Sequence, residues 1–286
     1  MRIARFYNRA LHSLALLLIL ASAFVHVIPH AAIKGTADRT AFVWWMLAGT
    51  AVLYAPSVFF DGMPSPRAWL FIVASAILEV LYLLAISRAY ATGDLSVAYP
   101  LARGSAPLFL ILFSIFVLRE PITFGGISGI VLIAAGVFLV GGGHRVKVQH
   151  VLWPIVAGMM TATYTSVDKL GVRLVHPFLY IYLVLILGWI GYTPLILMRN
   201  GLAGLRRTFD AKRVFLGALA MPLAYGLVLV AMRMGLLASY AGSVREVSVI
   251  VAAGVGAAAF GEKVTPTRVG GAAAILAGVG IIALSG

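Results

Sequence analysis

The sequence predicts an all-α integral membrane protein with ten transmembrane helices arranged as two inverted five-helix repeats. Three observations support this fold class: the composition, the length of the apolar runs and a duplication within the chain. The 286 residues are 62% hydrophobic and 11% charged, and the mean hydropathy is +1.03. An ordinary soluble domain carries about 25% charged residues, so the composition indicates a polytopic membrane protein.

The apolar runs have the length that a membrane requires. A bilayer core about 30 Å thick is crossed by about 20 apolar residues in a helix. The chain contains ten such runs, with approximate limits at 10–33, 40–60, 67–90, 94–118, 121–142, 150–173, 177–198, 213–236, 239–260 and 265–285. The runs are continuous rather than alternating in polarity, which disfavours the strands of a membrane barrel.

The charges lie mostly at the ends of these runs. The net charge is +13, and many of the basic residues fall in the loop at 199–213 or at helix ends such as Lys169, where side chains are expected to snorkel to lipid headgroups. We therefore predict a lipid bilayer rather than a nucleic acid as the partner of these charges. The chain has no cysteine, which excludes disulfides and thiolate metal sites.

A duplication settles the predicted architecture. Residues 101–140 align with residues 243–282 without a gap, and this offset of 142 positions pairs Arg103 with Arg245 and Glu120 with Glu262. Chance similarity between apolar helices would match Ala and Val, but hardly an Arg and a Glu seventeen residues apart in both copies. We predict one repeat over 1–142, a short junction over 143–149 and a second repeat over 150–286.

Each repeat carries five predicted helices, and five is an odd number. The second repeat must therefore enter the membrane from the opposite side, which makes the pair an inverted repeat. In secondary transporters this arrangement places the substrate site near the midplane between the repeats, with alternating access produced by one repeat rocking against the other.

Several motifs resemble EamA-like members of the drug/metabolite transporter superfamily. They are GDLSVAYPLARGSAPL (93–108), YTSVDKLGVR (164–173), SYAGSVREVSV (239–249) and the paired junctions LREPIT (118–123) and FGEKVT (260–265). The resemblance covers essentially the whole chain. It implies a transporter, whereas relatives carry cargoes as different as amino acids, sugars, nucleotide-sugars and drugs. Where some relatives have H-A-x-W-N at the end of the first helix, this chain has HVIPH.

The orientation rests on two conflicting signals. Outside the two intramembrane arginines, 8 Lys and Arg residues fall on the side of the termini and 12 on the opposite side. The positive-inside rule alone would then place the termini outside. The family resemblance implies cytoplasmic termini in the cell inner membrane, and this is the orientation that we expect.

Two arginines lie inside apolar runs at equivalent positions of the repeats. An arginine within a bilayer costs about 2.5 to 3.5 kcal/mol even on the lenient insertion scale. One interpretation is that Arg103 and Arg245 face a central cavity and bind a carboxylate, phosphate or phosphonate. The other interpretation is structural, in that Arg245 pairs with Asp168 or Glu79 or snorkels towards the headgroups.

Three acids within the predicted helices are candidates for binding substrate or carrying a coupling proton: Glu79, Asp168 and Glu246. Neighbours on a helix point about 100° apart, so Glu246 cannot pair with Arg245 and needs another partner or a proton. Its counterpart in the first repeat is Gly104. The structural alternatives are a bond from Glu246 to a neighbouring helix and a packed, protonated Glu79.

Histidines and tyrosines complete the candidate substrate site. His26 and His30 are four residues apart on one face of the first helix, and Pro29 between them frees a backbone carbonyl one turn back. We expect a polar gate, a proton-handling surface or satisfied packing near the interface, and no metal. Tyr99, Tyr164 and Tyr240 supply rings to the site or to an interfacial aromatic belt. Tyr225 falls near the repeat counterpart of Glu79 and is a candidate to donate a hydrogen bond in the site.

Small residues recur at intervals of four in the fifth and tenth predicted helices. They are Gly125 and Gly129 in the fifth helix, and Gly270, Ala274 and Gly278 in the tenth. This spacing predicts close packing seams that join helices within the fold, and it leaves open a homodimer contact.

Together these features predict a secondary active transporter that moves a small anionic or zwitterionic metabolite, such as an amino acid, an organic acid or an aminophosphonate. A coupling proton or counter-substrate is expected, and no cofactor. The sequence has no phosphate-binding loop, HExxH or GxSxG motif, so we predict no enzyme. The alternatives are an exporter of drug-like or lipid-like amphiphiles and a non-transporting membrane receptor or scaffold.

Overall fold

A computed structural model describes residues 2–33, 36, 38–92, 95–141, 150–260 and 264–285. Within these ranges every regular element is a helix, and no strand occurs. The helices are α1 (Arg2–Val25), α2 (Val27–Ile33), α3 (Arg39–Leu53), α4 (Ser57–Asp61), α5 (Pro66–Thr92), α6 (Leu95–Phe116), α7 (Phe124–Val140), α8 (Leu152–Gly171), α9 (Pro177–Arg207), α10 (Ala211–Arg233), α11 (Ala238–Val244), α12 (Val247–Phe260) and α13 (Pro266–Ser285).

The predicted all-α membrane fold is confirmed. Eight helices or helix pairs in the described ranges are long and apolar enough to cross a membrane. Two further helices occupy the remaining predicted spans: α7 is apolar but shorter, and α8 has 20 residues that include Asp168 and Lys169. The polar residues that lower the hydropathy of α8 are buried inside the protein.

Two of the predicted spans are interrupted where proline disrupts the helix. The first breaks at His26, between α1 and α2, and Pro29 lacks the N–H that would bond to the carbonyl one turn back. The second breaks at a turn over residues 54–56, which ends in Pro56. The interruption of the first span places the two histidines at the break.

The span predicted at 239–260 is found at Ala238–Ala258, but its helix is interrupted. The chain turns at Arg245 and Glu246, between α11 and α12. The N–H of Glu246 bonds to the carbonyl of Ser243 at 3.0 Å, and the N–H of Ser248 bonds to the carbonyl of Arg245 at 3.0 Å. These bonds reach back three residues rather than four, so the turn is tighter than an α-helix. Neither Pro nor Gly stands there to signal the break.

The loop predicted at 199–213 is also largely helical. Helix α9 continues to Arg207 across a kink at Gly201, whose φ of 60° and ψ of 174° are non-helical. This conformation suits glycine because it has no Cβ. The basic segment thus folds as a short helical extension before α10 begins.

Helices α7 and α13 approach each other closely at glycines. Among the described glycines, these have the shortest distances between an added Cβ and the backbone of a facing helix. A Cβ added to Gly136 would lie 2.6 Å from the carbonyl oxygen of Gly271, and one added to Gly278 would lie 2.6 Å from that of Gly129. The offset of 142 positions aligns Gly136 with Gly278 and Gly129 with Gly271, so each contact is the symmetric counterpart of the other. The glycine seam therefore follows the pseudo-two-fold relation between the repeats.

The seam corrects the predicted spacing. Its glycines are seven residues apart on each helix, at 129 and 136 on α7 and at 271 and 278 on α13. Gly270 has open space around it, and Gly125 faces Ser285 rather than a glycine. The predicted packing role holds for Gly125, Gly129 and Gly278, all of which lie against the facing helix, and the seam joins helices within one chain.

The two repeats pack against each other along their length. Helices α5 and α6 of the first repeat contact α8 of the second, and α1 contacts α10. Buried hydroxyls tie these helices to backbone carbonyls: Ser22 Oγ donates to the carbonyl of Ala224 at 2.6 Å, and Thr50 Oγ1 donates to that of Ala218 at 3.0 Å. These two hydroxyl groups therefore join helices of different repeats.

We expect Gly278→Ala to lower the unfolding temperature in detergent, because its Cβ would press on the backbone of α7 and force the helices apart. Overpacking of this kind costs about 1 to 3 kcal/mol. The matched control is Gly280→Ala on the same helix, which has open space around it and gains helix propensity. Equal unfolding temperatures for the two variants would contradict the seam.

Candidate functional site

A buried ion pair joins the two repeats. Arg103 on α6 places its Nε 3.1 Å from Oε2 of Glu246 at the α11–α12 break, and these side chains are 12% and 2% exposed. Arg103 Nη2 also donates to Ser248 Oγ at 3.0 Å. Glu246 thus finds its partner on a helix of the other repeat, which is the alternative that sequence reasoning left open.

Arg245 is buried without a carboxylate bound to it. It is 5% exposed, and its guanidinium carbon lies 5.4 Å from the centroid of the Tyr225 ring, which is within cation–π range. Its Nε has no hydrogen-bond partner. Within the described ranges no salt bridge links it to Glu79 or Asp168, and its burial excludes snorkelling, so neither structural interpretation holds.

Asp168 is held by three hydroxyl groups from three other helices. Ser75 Oγ on α5 and Tyr180 OH on α9 donate to Oδ1 at 2.5 and 2.8 Å, and Tyr225 OH on α10 donates to Oδ2 at 2.5 Å. The residue is fully buried on α8. This hydroxyl cluster ties four helices together and fixes the Tyr225 ring beneath Arg245. A role for Asp168 in carrying a proton remains a prediction.

A group of aromatic rings surrounds the guanidinium groups. The Tyr164 ring lies 6.1 Å from that of Tyr82 and 6.2 Å from that of Tyr225, both edge-on. The guanidinium carbon of Arg103 lies 6.0 Å from the Tyr99 ring. Sequence reasoning missed Tyr82, although it stands three residues after Glu79 on the same helix face.

The two histidines contact each other. Nε2 of His26 and Nε2 of His30 are 3.1 Å apart, and the rings meet edge to face with centroids 4.7 Å apart. Both rings are within electrostatic range of Arg103 and Arg245, although His26 is partly exposed and His30 is exposed. Among the described residues no group of three or more His, Cys, Asp or Glu could hold a metal ion.

The structure brings the predicted site residues into one region. Each of the eight candidates other than the arginines is within interaction range of Arg103, Arg245 or both; these are His26, His30, Glu79, Tyr99, Tyr164, Asp168, Tyr225 and Glu246. Their functional roles remain predictions.

A second polar cluster closes the fold on the side of the termini. Both carboxylate oxygens of Glu120 accept from the N–H of Ala238, each at 3.0 Å. Lys169 Nζ lies 3.8 Å from Glu120 Oε1 and donates to the carbonyls of Met232 and Leu236 at 2.8 and 2.6 Å. We call Glu120, Lys169 and these backbone groups of the α10–α11 junction the latch.

The latch corrects one expectation and adds a feature that sequence reasoning missed. Lys169 does not snorkel, since its side chain is 5% exposed and that of Glu120 is 6% exposed. Nearby, the Tyr240 hydroxyl lies 3.2 Å from Thr123 Oγ1. Glu262, the repeat counterpart of Glu120, lies outside the described residues.

Comparisons with known proteins agree with this architecture. The EamA-like transporter family matches residues 11–142 and again residues 149–284, which confirms the resemblance seen in the motifs. No curated protein matches the chain. One crystal structure is similar with a TM-score of 0.75 at 15% identity, over 96% of this chain and 98% of the other, which supports the fold. The chain belongs to the EamA-like transporter family and is a multi-pass membrane protein.

Proposed function

We propose that the protein is a secondary active transporter that moves a small anionic or zwitterionic metabolite, such as an amino acid, an organic acid or an aminophosphonate, by alternating access. The observation that carries this proposal is Arg245, which is buried between the repeats with its Nε unpartnered. A buried guanidinium that has an unpartnered Nε, and no carboxylate bound to it in the described part of the chain, is the group that an incoming carboxylate or phosphonate would bind.

The energetics favour a ligand over a purely structural charge. A guanidinium inside the membrane costs about 2.5 to 3.5 kcal/mol on the lenient insertion scale and considerably more in simulations, whereas a desolvated cation–π contact such as that with the Tyr225 ring offsets about 2 kcal/mol or somewhat more. A charge-assisted bidentate hydrogen bond to an anion supplies the missing compensation. Substrate binding at Arg245 would therefore satisfy a group that the protein itself leaves unsatisfied.

Glu79 suits the other end of a zwitterion. It is partly exposed on α5 and interacts electrostatically with both Arg245 and Asp168. Asp168 already holds three hydroxyl donors, whereas Glu79 has no hydrogen bond or ion pair among the described residues. We assign Glu79 to a substrate amine or to a coupling proton, and the tyrosines and histidines to the polar lining.

The latch supports alternating access. It joins the segment between α6 and α7 in the first repeat to α8 and the α10–α11 junction in the second. These bonds must break before the site can open towards the side of the termini. At the opposite end of the first span His30 is exposed, so we assign this conformation to a carrier closed on the side of the termini. Ion or substrate gradients would supply the driving force.

Arg245→Gln should strongly reduce exchange in proteoliposome counterflow, because the neutral amide cannot replace a charged donor pair. A hydrogen bond to a charged group contributes about 1.5 to 3 kcal/mol, so we expect a loss of about 10- to 100-fold. A thermal-shift screen of amino acids, organic acids and aminophosphonates selects the labelled substrate, since a ligand stabilises the folded protein by mass action.

The matched control is Arg213→Gln, which removes an exposed arginine paired with Asp210 and should leave counterflow unchanged. Retained exchange in Arg245→Gln would contradict the anion site and favour an exporter of apolar amphiphiles. If correctly folded protein exchanges none of the screened amino acids, organic acids and aminophosphonates, the result would favour a receptor or scaffold.

The latch predicts a change in access that can be measured without knowing the substrate. The chain has no native cysteine, so Ser243→Cys introduces a single thiol at a fully buried position of α11. Lys169→Met should increase labelling of this thiol, by a membrane-impermeant maleimide added on the side of the termini, by several-fold. Arg119→Gln, at an exposed neighbour of Glu120, serves as the control. An unchanged labelling rate in Lys169→Met would show that the latch does not close this side.

A further inference from the structure

We infer that Glu246 is an internal counter-ion that sets the charge of the substrate: by occupying Arg103, it leaves one guanidinium, that of Arg245, for a single anionic group. This inference rests on the proposed function and deepens it. The substrate class that follows is a monoanion or a zwitterion with one carboxylate, rather than a dicarboxylate or a phosphate dianion.

The two arginines are equivalent in sequence but differ in their partners. Arg103 has a carboxylate at 3.1 Å and a hydroxyl at 3.0 Å. Arg245 has an aromatic ring beneath it and, among the described residues, no carboxylate within ion-pair distance. The Nε atoms of both arginines lack a well-aligned hydrogen bond, so the bound carboxylate is what distinguishes Arg103. One of the two cations is therefore neutralised by the protein, and the other is not.

The remaining acids do not supply a second counter-ion. Both oxygens of Asp168 are taken by hydroxyl donors from Ser75, Tyr180 and Tyr225. Glu79 interacts with Arg245 over a distance, but no salt bridge joins these two residues in the described ranges. Arg245 is thus the one of the two guanidinium groups that can accept an external carboxylate without displacing an internal one.

The packing of the first repeat explains why the symmetric carboxylate is missing. Glu246 follows Arg245 and pairs with the arginine of the other repeat, so a carboxylate at position 104 would be the symmetric partner of Arg245. Position 104 is glycine, and a Cβ there would lie 2.9 Å from the ring of Phe138. The offset of 142 positions aligns Phe138 with Gly280, which has open space around it. The repeats thus differ at both positions, and Phe138 excludes a second counter-ion.

Glu246→Gln should shift the ligand preference of the site from monoanions and zwitterions towards dianions. Four-carbon probes of similar size separate the cases: 4-aminobutyrate is a zwitterion, butyrate a monoanion and succinate a dianion. We expect wild-type protein to bind the single-carboxylate probes more tightly than succinate in calorimetric titrations. Glu246→Gln should bind succinate at least about tenfold more tightly than wild type does, because Arg103 is released for a second carboxylate.

Two further variants keep the test decisive. Ser248→Ala removes the neutral partner of Arg103 and should retain the wild-type order of affinities. Arg103→Gln with Glu246→Gln removes both charges, which avoids an unpaired buried arginine if the single variant fails to fold. This double variant should keep the preference for one carboxylate, since Arg245 is unchanged.

The outcomes separate this inference from the proposed function. No gain of succinate binding in Glu246→Gln, or a wild-type preference for succinate, would overturn the counter-ion role. A double variant that prefers succinate would overturn it as well. If Glu246→Gln gains succinate binding while the wild type binds no anion in the wider thermal-shift pool, the counter-ion role holds and the anion-transport proposal fails.

Discussion

A buried charge must be matched by an opposite charge or by hydrogen bonds, and in this protein the match between Arg103 and Glu246 spans the two repeats. Removing one partner of a buried ion pair costs about 3 to 5 kcal/mol, because the other charge is left uncompensated. Neither repeat can therefore satisfy its own charge alone. The pair fixes how α6 approaches the α11–α12 break, and it places the second arginine, Arg245, beside Tyr225 rather than beside a carboxylate.

Different groups of interior residues stabilise different parts of the fold. The hydroxyl cluster around Asp168 ties four helices and positions the Tyr225 ring. The latch holds the side of the termini through charge-assisted bonds to backbone groups. The glycine seam brings α7 and α13 into backbone contact, without polar side chains, by van der Waals packing of the kind that joins membrane helices. In the proposed cycle, the bonds of the latch break and re-form.

Much of this arrangement follows from local sequence, and the rest depends on which helices become neighbours. The length of the apolar runs and the offset of 142 positions predict the fold class, and the offset also predicts that Arg103 and Arg245 occupy equivalent positions in the two repeats. They do not predict that Glu246 binds Arg103, because that contact depends on tertiary packing between repeats. The turn at Arg245 and Glu246 contains no Gly or Pro that would predict it. Lys169 was expected to snorkel because the sequence does not show that Glu120 and the carbonyls of Met232 and Leu236 lie within its reach. Likewise, the crossing of α7 and α13 selects glycines seven residues apart, whereas the sequence alone suggested four.

The claim that one ion pair couples the repeats is tested most directly by a double-mutant cycle of unfolding free energies. The cycle compares wild type with Arg103→Gln, Glu246→Gln and the double variant, in detergent under reversible conditions. We predict that each single variant is less stable than the double variant, with a coupling energy of about 2 kcal/mol or more. Losses that add to within about 0.5 kcal/mol would show that the two charges are independent, and would contradict this account.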